Sequence, residues 1–247
     1  MVAWSIVAVD FQRGLIQVNG LSSVSEFFAA AARPDLSGSY LATAVEAAWI
    51  TVAYAVAGLT LALVIGVPLG ILASGVLFRG RFRSPVVSGA ARLLLAALRS
   101  VHELIWAWFF VVAVGLSPIA AVLALALPYG GILGRNFAEM LVDVPQEPLR
   151  ALRAGGASEP QVLFYGRAPM AIPQMLSYTF YRFECAIRAA AIFSFVGIAG
   201  IGFQIQVSLD DLLYGQVWTM LAVLILLVAA VDMWSNALRR GILGKRW

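Results

Sequence analysis

RALRAGGASEPQVLFYGRAP, Arg150 to Pro169, is a polar and charged island in a chain that is otherwise mostly lipid-soluble. It carries Arg150, Arg153, Glu159 and Arg167, follows Asp143 and Glu147, and has long apolar segments on both sides. Leu149, Leu152 and Arg153 recur at helical spacing, which predicts a short amphipathic helix over Glu147 to Ala157. Gly155 and Gly156 then end it, because glycine tolerates the left-handed conformation found at helix C-termini. A helix outside the bilayer between two spanning segments is well placed to touch a second protein.

The chain has 247 residues, 62% of them hydrophobic and only 12% charged, with a mean hydropathy of +0.89. Soluble domains run near half apolar and a quarter charged. The expected fold class is therefore all-α, a polytopic helical membrane protein, since helices satisfy the backbone inside lipid. Regular strand-length alternation, the mark of a barrel, is absent. The net charge of +4 comes from bases clustered at segment ends, which reads as membrane orientation rather than nucleic-acid binding. Cys185 alone makes no internal disulfide. Val2 to Val9 is too short an apolar run, without a basic start, for a cleavable signal peptide.

Moving outward from the island, five full spans are expected: Tyr40 to Ala73, about Val86 to Val114, about Ile119 to Leu141, about Pro169 to Val196 and about Leu212 to Leu238. Residues 1–9 are either an interfacial piece or the remainder of a shortened first helix. Arg79, Arg81 and Arg83 mark one cytoplasmic loop, and Arg239, Arg240, Lys245 and Arg246 a cytoplasmic tail. Residues 10–39 and 197–211 fall outside by parity. Gly58, Gly66, Pro68 and Gly70 suit close helix packing in the first span. Pro128, Gly130, Gly131 and Gly134 are expected to kink or loosen the third. The whole of 1–247 reads as one transmembrane domain, with a cytoplasmic loop over about 142–168.

Two charge clusters lie inside spans. Arg99, His102 and Glu103 share one face of the second span's helix, and Arg99 lies roughly 20 Å from its start at Val86. Arg99 and Glu103, and likewise Glu184 and Arg188, are one turn apart and can pair. Arg182 faces elsewhere and either snorkels or contacts the opposing helix. A charge at mid-bilayer costs about 2.5 kcal/mol or more, so such groups pair or line a polar path. Each cluster is open to both readings, a packing device or a lining of a transport path. Arg135, near a helix end, reads as snorkelling. A lone His102 makes a poor metal site. The chain has no G-x-x-x-x-G-K-[ST] loop. Ser100 and His102 tempt an intramembrane-enzyme reading, but residues two apart on a helix diverge.

The island resembles the EAA loop of binding-protein-dependent ABC importer permeases. That pattern is Glu-Ala-Ala, three residues, Gly, nine residues, an aliphatic, one residue and Leu-Pro. Gly156 and Pro169 fall in register, and Ala151 matches the first alanine. Arg150 stands for Glu, Leu152 for the second alanine and Gly166 for the aliphatic. RSVHELIWAWFFVVAVGLSPIAAVLALAL (99–127), LRALRAGGAS (149–158), SYTFYRFECAIRAA (177–190) and VGIAGIG (196–202) are similar to phosphonate-type permeases. His102 replaces a proline before the acid, Ala186 an asparagine after YRFE, and the first family helix is largely missing.

The resemblance implies a type I importer permease working by alternating access, multi-pass in the cytoplasmic membrane with the C-terminus inside. It implies a second permease chain, identical or related, two cytoplasmic ATPase subunits that hold ATP and Mg, and an extracytoplasmic substrate-binding protein. No cofactor is expected in this chain. Arg150, Ala151, Leu152, Arg153, Gly156, Ala157 and Ser158 would couple to the ATPases. Arg99, His102, Glu103, Arg182, Glu184 and Arg188 would line or brace the path. The cargo implied is a phosphonate or related phosphorus oxyanion, with methionine or another small solute as the alternative.

Overall fold

A computed structural model describes residues 20–77, 85–193 and 196–243, and the described residues contain helices and no strand. In chain order they are α1 (Gly20–Ala30), α2 (Gly38–Ser74), α3 (Pro85–Ser100), α4 (Glu103–Val114), α5 (Pro118–Val142), α6 (Gln146–Ala154), α7 (Ala168–Phe193), α8 (Ile201–Asp210) and α9 (Tyr214–Leu243). A single turn, Glu159–Gln161, and a wide π-helical turn, Val162–Arg167, lead from α6 into α7. Residues 1–9 and the basic positions 79, 81, 83, 245 and 246 lie outside the described residues.

Helices α2, α5 and α9 are long and apolar enough to cross a membrane, and α3 with α4 qualifies as a bent pair. α7 has 26 residues, enough length for a span. It falls short in uniform apolarity, because Arg182, Glu184 and Arg188 sit in its C-terminal half. The polar stretches expected outside the spans are partly helical, as α1 and α8.

The second expected span is not one helix. α3 and α4 meet at 86°, with Val101 and His102 unwound between them. Side chains satisfy the backbone at the break. The His102 ring accepts from the Leu104 N–H at 3.2 Å, capping α4. Trp106 Nε1 donates back to the Leu98 carbonyl at 3.4 Å, and Ser100 Oγ donates to the Ala97 carbonyl at 2.8 Å.

α2 and α5 form the centre, joined by backbone contact. A Cβ on Gly66 would lie 2.9 Å from the Gly130 carbonyl oxygen, and one on Gly70 2.8 Å from that of Gly134. Without a hydrophobic drive between helices in lipid, such small-residue contact is what holds spans together. The glycines expected to kink or loosen α5 have a packing role. α5 runs as helix through Pro128, and its glycines accept α2 on one side and α3 on the other. A Cβ on Gly131 would lie 2.9 Å from the Leu95 carbonyl oxygen.

Around this seam, Ala55, Leu59 and Ala62 of α2, Leu125, Leu133 and Phe137 of α5, and Ala186, Ile187 and Phe193 of α7 form the main core. A second core of Val76, Leu141, Val144, Leu149, Val162 and Leu163 seats the polar island. At the other end, a clasp holds the segment after α1 to the start of α9. Asp35 N donates to the Gly215 carbonyl at 3.2 Å, Thr219 Oγ1 to the Asp35 carbonyl at 2.8 Å, and Trp218 Nε1 to the Phe27 carbonyl at 2.7 Å.

Candidate coupling and translocation sites

The island folds as a cap on the second core. α6 is shorter than the expected 147–157 and ends at Ala154. Gly156 N donates to the Arg153 carbonyl at 2.9 Å and Ala157 N to the Leu152 carbonyl at 3.1 Å. These are the two bonds of a Schellman ending. Only Gly156 is left-handed, with φ +87°, while Gly155 has φ −79°. The chain therefore reverses at Gly156, inside the stretch expected to be helical.

α6 buries Leu149 completely and leaves Arg150, Ala151 and Ser158 exposed, with Leu152, Arg153 and Ala157 half-buried. Arg153 grips Glu159 with two parallel bonds, Nε to Oε1 at 2.9 Å and a terminal amine to Oε2 at 3.0 Å. That fork-on-fork pairing locks the reversal and holds the Arg153 guanidinium pKa above its usual value. Gln161 Oε1 accepts from Ser158 N at 2.8 Å and from Ser158 Oγ at 2.9 Å, capping the next turn.

Gly166, where the family pattern has an aliphatic, is the floor under α6. A Cβ there would lie 2.7 Å from Leu149 Cδ2 and 2.9 Å from Leu152 Cδ1. Arg167, nearly fully buried, donates to the Leu141 carbonyl at 2.6 Å. It ties the start of α7 to the end of α5. Between α6 and the π-helical turn opens a groove of about 910 Å³, lined by Ala151, Leu152, Gly156, Ala157, Tyr165 and Met170 among others. Tyr165 beside it is 77% exposed.

The charges in the spans are arranged differently from expectation. Arg99 lies in the last turn of α3 and Glu103 in the first turn of α4, so the 86° bend removes the shared face on which they would pair. Both now sit at favourable ends of their helix dipoles. His102 Nε2 lies 3.7 Å from Glu103 Oε2, with His102 largely exposed.

Glu184 does not pair with Arg188. It pairs with Arg239 of α9 at 2.7 Å, and Asn236 Oδ1 accepts from the same guanidinium at 3.0 Å. Arg188 donates to the Cys185 sulfur at 3.5 Å and forms no ion pair with a carboxylate among the described residues. It lines a cavity of about 540 Å³ between α7, α8 and α9, together with Glu184 and Asp232. Arg182 is bonded within its own helix to the Tyr178 hydroxyl. Arg135, expected to snorkel, pairs with Glu139 at 2.6 Å.

Arg239, Asp232, Tyr178 and Asn136 belong to these clusters without having been legible as such. Only Tyr178 carries a readable signal, its place four residues before Arg182. The serine–histidine pair is spent on capping: Ser100 Oγ on Ala97 and His102 Nδ1 on Leu104. No group of three or more histidine, cysteine or carboxylate side chains that could hold a metal occurs among the described residues.

The family described as "Binding-protein-dependent transport system inner membrane component" matches residues 66–244. The chain is 37% identical over 225 residues to the phosphite transport system permease protein PtxC of Stutzerimonas stutzeri, covering 90% of this chain and 79% of that one. It is 32% identical over 193 residues to the phosphate-import permease protein PhnE of Mycolicibacterium smegmatis, covering 78% of this chain and 36% of that one. Among solved structures, the inward-facing MetNI methionine ABC transporter superposes with a TM-score of 0.73 at 22% identity, over 84% of this chain and 99% of that one.

Proposed function

Because this chain belongs to the binding-protein-dependent transport system inner membrane components, the permease subunits of ABC importers, we propose that its cargo is a phosphonate, phosphite or related phosphorus oxyanion. The chain is a transport subunit and not an enzyme, and ATP hydrolysis belongs to a separate partner. The observation that carries the cargo reading is the state of α7. Its two arginines, Arg182 and Arg188, form no ion pair with a carboxylate among the described residues. A cation in a span that forms no direct ion pair marks a candidate substrate or ion pathway, and arginine's planar fork suits a tetrahedral oxyanion. The phosphite permease relatives point the same way. The methionine reading rests on likeness of fold alone.

In this reading residues 1–247 are one transmembrane domain. It pairs with a second permease chain, engages two ATPase subunits holding ATP and Mg, and receives cargo from an extracytoplasmic binding protein. The loop of about 142–168 and the C-terminus are cytoplasmic. Arg150, Ala151, Leu152, Arg153, Gly156, Ala157 and Ser158 present α6 and its reversal to the ATPase. Closure of the ATPases pushes on α6, which is seated by Leu149 and Gly166 on the end of α5 and the start of α7. The spans then rock to open the path to the other side. Arg182 and Arg188 meet the anion, Glu184 braces α7 against α9, and Arg99, His102 and Glu103 shape the bend beside the path.

The test is uptake of labelled phosphite into proteoliposomes holding this chain, its ATPase and its binding protein. Phosphite, phosphate, methylphosphonate and methionine serve as competitors. Competition by the phosphorus oxyanions supports the reading, and competition by methionine alone rejects it.

A further inference from the structure

We propose that the Tyr178 hydroxyl and the Arg182 guanidinium form one anion-binding step inside the membrane, with Tyr178 as donor as well as holder. This deepens the oxyanion reading and rests on it. Arg182 gives Tyr178 Oη two bonds, from Nε at 2.9 Å and from a terminal amine at 2.8 Å. Asn136 Nδ2, reaching from α5, gives the same oxygen a third at 3.0 Å. All three partners are N–H groups that can only donate here. A phenol oxygen has two lone pairs, one taken by the Arg182 fork and one by Asn136, and one proton of its own. With its acceptor side filled by Arg182 and Asn136, its proton is directed away from them, and no acceptor for it occurs among the described residues.

The guanidinium is similarly poised. It lies 5.3 Å from the Tyr178 ring centroid and 5.6 Å from that of Tyr181, held by two π-faces that attract a cation without neutralising it. The second terminal amine of Arg182 has no acceptor among the described residues. The pair therefore offers fixed N–H and O–H donors side by side, with the arginine oriented in advance. Charge-assisted bonds of this kind are the strong ones for an oxyanion. Arg182 lies roughly 21 Å along the 26-residue α7 from Ala168, and the two vesicle compositions below separate a free oxyanion from a lipid phosphate. Asn136 links the donor pair to α5, so the step sits at the α5–α7 seam.

The proteoliposome assay tests this with Tyr178→Phe, Arg182→Lys and Arg182→Met, in vesicles of phosphatidylcholine alone and with added phosphatidylglycerol. Tyr178→Phe keeps the ring and loses only the hydroxyl. It is expected to lower the maximal phosphite uptake rate about tenfold. Arg182→Met is expected to lower it about a hundredfold and Arg182→Lys about tenfold. The half-saturating concentration, set by capture on the binding protein, stays unchanged, and co-purification of each variant with the ATPase reports that the complex is assembled. Near-normal uptake by both Tyr178→Phe and Arg182→Met overturns the inference while leaving the oxyanion reading intact. A defect confined to vesicles with phosphatidylglycerol also overturns it, because the anion met would then be a lipid headgroup. Wild-type complex that carries no phosphorus oxyanion overturns the functional reading and this step together.

Discussion

Arg239 of α9 reaches Glu184 of α7 at 2.7 Å, across 55 positions of sequence, although Arg188 lies one turn away from Glu184 on the same helix. The pair is mostly buried, with side-chain exposures of 22% and 11%. Removing one member of such a pair leaves a lone buried charge, typically about 3–5 kcal/mol of destabilisation. Glu184→Gln and Arg239→Met should each lower expression and thermal stability in detergent, and the double variant should restore both. Combining Glu184→Gln with Arg188→Met should not restore them. Equal rescue by the two double variants would show that the α7–α9 pair is not the brace.

The reversal after α6 should depend on conformation alone. Gly156 has φ +87° and nothing within 4 Å of a Cβ placed on it. Gly156→Val forces a β-branched residue into the left-handed region, at about 1 kcal/mol or more. We expect lost uptake and weakened ATPase association with normal membrane insertion. Gly156→Asn, which tolerates that region, should keep most activity. Co-purification with the ATPase measures both, and a fully active valine variant would remove α6 from the coupling path.

Close packing, by contrast, should be intolerant at Gly134. A Cβ there would lie 2.5 Å from Leu95 Cδ2 and 2.9 Å from the Gly66 carbonyl oxygen. Gly134→Ala should destabilise by about 1–3 kcal/mol, as overpacking does. Leu95→Ala should not rescue it, because the Gly66 oxygen is backbone. Gly89 in α3 has open space around it, and Gly89→Ala should be neutral or slightly stabilising. Melting temperatures of the purified variants separate the two sites.

The clasp before α2 should be acid-sensitive. Ser37 N donates to Asp35 Oδ1 at 3.0 Å, and Gln216 Nε2 to Oδ2 at 3.3 Å. The backbone bond from Ser37 is the main reason the Asp35 carboxyl is held below its ordinary 3.8. A lowered folded-state pKa means stabilisation that is present above the ordinary value and is lost as pH falls through the folded one. Protease access to the α1–α2 segment should therefore rise only below about pH 4. Asp35→Asn should remove the pH dependence. A transition centred near neutrality would point to a different group.

Much of the fold was legible in the amino-acid order. The long apolar runs of α2, α5 and α9 announce spans because hydropathy is a sum over neighbours, and the island of Arg150 to Pro169 stands out for the same reason. Gly156 was readable as a stop because only glycine is at ease at positive φ. Gly66 and Gly70 read as packing residues and Gly134 as one that kinks or loosens its helix, and the contacts between them were not readable. The bend at Val101 and His102 was hidden, since both flanks are apolar and helical in pattern. The break depends on Trp106 reaching the Leu98 carbonyl and on α3 lying against Gly131. The partner of Glu184 was hidden for a related reason. A pair one helical turn apart is visible in a string of letters, while Arg239 comes near only when α9 packs against α7. Helix propensity, apolarity and backbone freedom are local properties that a sequence states directly. Which arginine is paired with an acid, and which is not, depends on distances between segments, and packing alone sets those.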